Sequence, residues 1–199
     1  MTGALAGFAI GILAGSVPFA WVLHRALTGG DLRDEGSGNP GAMNLSRTTG
    51  MGWGLAGLVL DAGKGAAAVF VASRLAGDPA AVPAAVGAVL GHMFSPWLSG
   101  RGGKGVATAA GAYAVLAPVA AAVAVAVFAL VVATTRLVAA GSVAAATVLP
   151  VAAFVAGPGG SGALSALLVA ALIAWRHREN FARMRAGTEP RLGSRGDSR

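Results

Sequence analysis

The groups able to bind or move charge in this chain gather in a few polar segments. The first reads Asp31-Leu32-Arg33-Asp34-Glu35-Gly36-Ser37-Gly38-Asn39-Pro40-Gly41-Ala42-Met43-Asn44-Leu45-Ser46-Arg47. Asn is a favoured helix cap and Pro a favoured first helical residue, so a short helix is expected from Pro40, ending by Gly50. Bare amides of the glycine-rich turn at that end, with Arg47 two turns on, make an anion site. The plainer reading is an amphipathic interfacial helix after a loose loop. The second segment places Arg101-Gly102-Gly103-Lys104-Gly105 directly before a helical pattern, again joining cations to exposed amides. It is not a Walker A loop: Leu98 stands where its first Gly belongs, and Gly105 follows Lys104 where Ser or Thr is needed. The plainer reading is a basic membrane anchor with a turn.

The tail supplies Arg176-His177-Arg178-Glu179-Asn180-Phe181-Ala182-Arg183. If the last helix runs on, His177 and Asn180 share a face, in a row with Arg176 and Arg183. A basic helix end snorkelling onto anionic headgroups is the commoner use of such a run. His177 is the best-placed group to titrate near neutral pH. His24 and His92 fall at helix ends and read as hydrogen-bonded structural groups. No His, Asp and Glu set has metal-ligand spacing, and with no cysteine the chain has no thiolate chemistry; no metal or cofactor is expected. Asp61 and Lys64 stand three apart inside an apolar stretch, where ionisable residues are paired or functional; an internal ion pair fixing helix packing is preferred. Ser16-Val17-Pro18 predicts a kink in the first helix. Ser142 falls where the loop after Arg136 meets the next helix.

The elements that must position these groups are apolar helices. Only 12% of the 199 residues are charged, about half the roughly 25% of a soluble domain, and 55% are apolar. That excludes a soluble globular enzyme, a disordered chain and a disulfide scaffold. Residues 1–23, 48–60, 65–73, 79–100, 105–133 and 137–175 carry no charge. A spanning helix needs about 20 apolar residues. The first stretch lacks a basic leader and runs straight into the first motif, so it is not expected to be a cleaved signal peptide. The net charge is +7, and the cations fall mainly in four clusters: Arg25, Arg33 and Arg47; Arg101 and Lys104; Arg136; and the arginines from Arg176 to Arg199. Basic short loops stay cytoplasmic, so an even number of crossings separates each cluster from the next. The prediction is an all-α, polytopic membrane helix bundle with seven transmembrane helices, near 3–25, 52–75, 79–95, 105–117, 118–134, 142–157 and 161–179. The N-terminus lies outside and the C-terminus is cytoplasmic. Residues 1–193 form one membrane-embedded domain and 194–199 a polar tail. The shorter segments thin the bilayer or are partly buried in protein. Abundant Gly and Ala suit close helix packing in lipid.

Taken in order, Gly36-Ser37-Gly38-Asn39 with Arg47, Asp61-x-x-Lys64-Gly65, Gly102-Gly103-Lys104-Gly105-Val106-Ala107-Thr108 and Arg176-His177-x-x-Asn180-x-x-Arg183 closely resemble the bacterial acyl-phosphate:glycerol-3-phosphate acyltransferase family, from about Ser16 to Glu189. The resemblance implies a seven-helix inner-membrane enzyme with its active site on the cytoplasmic face. It would move a fatty acyl group from acyl phosphate to the sn-1 hydroxyl of glycerol 3-phosphate, giving lysophosphatidic acid and phosphate in phospholipid synthesis. It maps the family's functional positions onto Ser37, Asn39, Asn44 and Arg47, onto Lys104 with Gly102 and Gly103, onto Ser142, and onto His177 and Asn180. His177, Lys104 and Arg47 are then catalytic, and Ser37, Gly38, Asn39, Asn44, Gly102, Gly103, Ser142 and Asn180 bind substrate. Met43 departs from the small polar residue expected there, and Ser99-Gly100-Arg101 is smaller than the family's aromatic and basic run.

The chemistry agrees with the charges. Both substrates carry phosphate, and acyl phosphate is already an activated anhydride, so positioning and charge stabilisation suffice. The hydroxyl proton passes to His177 or to a donor phosphate oxygen, the latter preferred. The partners are glycerol 3-phosphate, acyl phosphate and membrane lipids; no nucleic acid is expected, and the default state is a monomer. An acyltransferase with a His-x4-Asp pair is excluded, because Gly29, Trp97 and Ala182 stand at the fifth position after the three histidines. The rival from another class is a membrane transporter of phosphate or another small anion, which would line a midplane cavity with charge and show broken inverted repeats. Cations gathered at loops favour surface chemistry instead.

Overall fold

The computed structural model describes residues 1–193, and every regular element among them is helical. The chain forms two compact units, meeting in sequence between Leu116 and Ala117. The first contains α1 (Thr2–Ser16), α2 (Phe19–Thr28), α3 (Ala42–Thr48), α4 (Met51–Ala76), α5 (Ala81–Met93) and α6 (Val106–Leu116). Single 3-10 turns, Asp78–Ala80 and Pro96–Leu98, flank α5. The second contains α7 (Pro118–Thr135), α8 (Val138–Ala156), α9 (Gly160–Arg176) and α10 (Arg178–Arg185).

Glycine spacing sets the packing of the first unit. On α1, Gly3, Gly7, Gly11 and Gly15 recur every fourth residue, and a Cβ at each would overlap in turn the carbonyl oxygens of Ala76, Ala80, Ala84 and Ala88. Gly87 and Gly91 of α5 answer with the same intimacy toward Phe8 and Ile12. The rising order on both helices makes α1 and α5 parallel, with backbones in direct contact, as small residues permit in lipid. The loops that follow α2 and α5 therefore lie at the same end of the unit. Gly65 of α4 and Gly111 of α6 make the corresponding approach, to Thr108 and Ala62.

The expected kink is a full break: Val17 is extended (φ −66°, ψ 116°) and α2 restarts at Phe19, because Pro18 has no N–H to donate. The carbonyls so released find partners. Ser95 Oγ donates to Ser16 O at 2.6 Å, and Lys64 Nζ to Val17 O at 2.6 Å.

In the second unit α7 and α8 form an antiparallel hairpin, with Gly141 against Phe128 and Gly157 against Ala117. Arg136 closes α7 in the left-handed conformation (φ 61°), and Thr135 Oγ1 accepts the Leu137 amide. The turn needs no further residues, so α8 begins at Val138 and not near 142. Leu192 N–H donates to Arg136 O at 2.7 Å, which brings the tail to that turn.

Large apolar side chains face outward: Leu13, Val59, Phe70, Leu130, Phe154 and Leu164 are all exposed, while the interior is mostly alanine. That is the arrangement of a protein solvated by lipid. Five segments are long and apolar enough to cross a membrane: Thr2–Thr28, Met51–Ala76, Asp78–Leu98, Pro118–Thr135 and Val138–Ala156. A sixth is α9 with α10 if that pair, bent by 54°, counts as one span; α6 is shorter.

Candidate active site

Asn44 builds the first loop. It is buried, and its side-chain amide is fully engaged. Oδ1 accepts the Ser37 N–H at 2.8 Å, and Nδ2 donates to Leu32 O at 3.0 Å and Glu35 O at 2.9 Å. Gly36 (φ 56°) lies so close to that amide that a Cβ would overlap Oδ1. Asp31 braces the loop's base: it takes the Arg33 guanidinium through both oxygens (2.6 Å at the shortest) and the Trp21 indole N–H at 2.9 Å. The Arg33 contact, chiefly, holds the Asp31 carboxyl well below the usual carboxylate range. Arg33 Nη1 also donates to Leu98 O at 3.3 Å, tying the first loop to the turn that leads into the second. His24 is buried between Thr49 Oγ1 (2.8 Å), Glu35 and Thr28, a structural role.

Two details correct the sequence reading here. The helix begins at Ala42 with Gly41 as its cap, so Asn39 is not the N-cap. Two of the turn's amides are not bare: Ser37 N–H goes to Asn44 Oδ1 and Gly38 N–H to Glu35 O. The side chains of Ser37 and Arg47 are exposed, Asn39 is half-buried, and Arg47 makes no hydrogen bond or ion pair among the described residues.

The second loop is moulded on the end of α5. Gly102 N–H donates to Met93 O at 3.1 Å and Gly103 N–H to His92 O at 3.2 Å, so these amides too are spent on the fold. Neither residue can carry a side chain: a Cβ at Gly102 would overlap His92 O, and one at Gly103 would overlap His92 Nε2. Gly105 (φ 80°) takes the positive φ that directs the chain into α6. Of the loop's two cations, Arg101 is exposed and Lys104 half-buried. One turn into α6 the Thr108 hydroxyl is buried without a hydrogen-bond partner among the described residues.

In the second unit the last helix does not run on. It bends by 54° at His177, which is buried, and resumes as α10. His177 Nδ1 lies 2.8 Å from Ile173 O, so Nδ1 carries a proton and donates to it. Asn180 Nδ2 donates to Glu189 Oε1 at 2.6 Å and Arg183 Nε to Glu189 Oε2 at 2.8 Å. Ser142 sits one turn inside α8, not at its start, and its hydroxyl donates to Val138 O at 2.8 Å.

Sequence reasoning missed Glu189 as a clamp and Asp31 as a brace. The signal for Glu189 was an acid standing among arginines, just past the end of the last helical pattern. For Asp31 it was an Asp-x-Arg pair with a tryptophan ten residues earlier. Within the first unit the two glycine and cation loops come to one end; within the second, the Arg136 turn and the tail do.

A helical membrane protein with glycine-shaped loops carrying cations, and a braced His and Asn pair, has the groups for handling phosphate-bearing substrates at a lipid boundary. Residues 5–187 match the family described as glycerol-3-phosphate acyltransferase. A glycerol-3-phosphate acyltransferase of Myxococcus xanthus is 47% identical, covering 96% of this chain and 100% of that one. One from Rhizobium etli is 39% identical, covering 97% and 93%. The crystal structure of PlsY (YgiH), an integral membrane glycerol 3-phosphate acyltransferase, in its glycerol 3-phosphate form superposes with a TM-score of 0.89 at 35% identity, covering 96% of each chain. Its lysophosphatidic acid form gives 0.86 at 33%. The chain belongs to the glycerol-3-phosphate acyltransferase family and is an integral membrane acyltransferase.

Proposed function

We propose that the protein transfers a fatty acyl group from acyl phosphate to the sn-1 hydroxyl of glycerol 3-phosphate, releasing lysophosphatidic acid and phosphate. The likeness to a solved acyltransferase in its glycerol 3-phosphate form, over 96% of both chains, carries the reading. It works as a single domain over residues 1–193, a monomer with no cofactor, in the inner membrane. Residues 194–199, expected as a polar tail, lie outside the described residues. The chain crosses seven times, N-terminus outside, with the site on the cytoplasmic face. In that topology α6 is the short crossing. Its 11 residues span only about 17 Å, so it relies on protein around it: Thr108, Ala109, Gly111, Ala112 and Tyr113 are buried.

Lys104 and Arg47 take phosphate charge, with Ser37, Gly38, Asn39, Gly102 and Gly103 shaping the loops that carry them. Asn44 serves binding by holding Ser37 in place. His177, with Asn180 and Ser142, orients the acceptor. The acceptor's hydroxyl oxygen bonds to the acyl carbon as the acyl carbon to phosphate oxygen bond breaks. The proton leaves with phosphate, so no residue need change charge across the step. The test is purified protein in lipid vesicles with palmitoyl phosphate and glycerol 3-phosphate. Phosphate release that requires both substrates supports the reading; no release from the pair refutes it.

A further inference from the structure

The mechanism leaves one buried cluster unused. Asp61, Lys64 and His92 are almost wholly enclosed; Lys64 Nζ donates to Val17 O at 2.6 Å, lies 2.8 Å from His92 Nδ1 and is ion-paired with Asp61 Oδ1 at 2.7 Å, an oxygen that also lies 3.7 Å from His92 Nδ1. Asp61 and Lys64 both stand on α4, so their pair by itself joins no helices; the contacts that leave α4 are those of Lys64 to Val17 O and His92. The second of these fixes a histidine. An ammonium donates and never accepts, so His92 Nδ1 presents its lone pair and the ring proton sits on Nε2. The Nε2 edge is packed on Gly103, and the carbonyl of the same residue accepts the Gly103 amide at 3.2 Å. His92 thus holds the Gly102-Gly103-Lys104 loop by backbone and ring together, and Lys64 decides how the ring stands.

We infer that Asp61, Lys64 and His92 are positioning residues that set the second loop, and through it Lys104, for the phosphate of the substrate. The inference rests on the acyl-transfer reading for the phosphate but on the cluster's own geometry for the loop. Carrying the contact through Val17 O, the cluster also registers the loop to the break between α1 and α2.

The test compares folded variants in lipid vesicles with palmitoyl phosphate and glycerol 3-phosphate. The double variant Asp61→Asn/Lys64→Met removes both charges at once and leaves no lone buried ion. His92→Asn keeps an acceptor for Lys64 but has nothing at the Nε2 position; His92→Gln places an amide donor there. Expected is a fall in kcat of about tenfold to a hundredfold for the double variant and His92→Asn, with melting transitions retained, and recovery of most of it in His92→Gln. Wild-type kcat in the folded double variant and His92→Asn overturns the inference. Should those variants fail to fold, the nitrogen-15 spectrum of His92 in the wild type decides: a ring protonated on Nε2 alone is expected, and one protonated on Nδ1 overturns it. A wild type without turnover sinks the acyl-transfer reading only; the His92 spectrum still judges the cluster.

Discussion

Lys104 owes its place to residues that have no side chain. Its neighbours Gly102 and Gly103 lie against His92, and Gly105 takes a positive φ, so the backbone on either side of it is held in shape. Lys104→Ala is expected to lower kcat/KM by about a hundredfold to a thousandfold, read by phosphate release from the folded variant. Asp31 offers a pH signature. Its carboxyl is held low, chiefly by Arg33, so the stability it confers is fully present above the ordinary carboxylate value of about 4 and is lost as pH falls further. Asp31→Asn should flatten the decline of the melting temperature in acid below about pH 4 and leave its pH dependence unchanged near neutrality. Glu189 joins Asn180 to Arg183 from outside α10. That contact was invisible to helical spacing because it folds back from beyond the helix.

At the scale of the element, the parallel contact of α1 with α5 is the feature on which the two loops depend. Its glycines leave no room for a side chain, so Gly11→Leu must push the backbones apart. The expected cost is about 1–3 kcal/mol, measured as a lowered melting transition in detergent with reduced yield of active protein. The same contact explains why the break at Val17-Pro18 is tolerated. Carbonyls that would be orphaned in lipid are taken by Ser95 of the loop after α5 and by Lys64 of α4. The predicted spans match helices almost throughout, since apolar runs bounded by charge and Pro are local signals. The misses are local too: α8 starts at Val138 because a left-handed Arg136 shortens the turn, and the last helix bends at His177.

For the whole molecule, topology is open to a clean experiment, because the chain has no cysteine of its own. Single substitutions Asp34→Cys and Thr188→Cys should be shielded from an impermeant maleimide in intact cells, while Asp78→Cys and Ser161→Cys should react. The reverse pattern would contradict a cytoplasmic site. Truncation marks the limit of the working chain: a stop after Gly193 keeps the tail's bond to Arg136 and should leave activity unchanged, whereas a stop after Gly187 removes Glu189 and should abolish most of it. The membrane class, the helices, the loops rich in cations and the family are legible along the chain, because charge exclusion from lipid and glycine spacing are written residue by residue. Only the tertiary structure decided what the loop amides do. It spent those of Ser37, Gly38, Gly102 and Gly103 on the fold, joined Lys64 to His92 and drew Glu189 to Asn180. Each of these pairings brings together groups distant along the chain or folded back across a turn, and a buried donor must find its acceptor in space, not in the sequence.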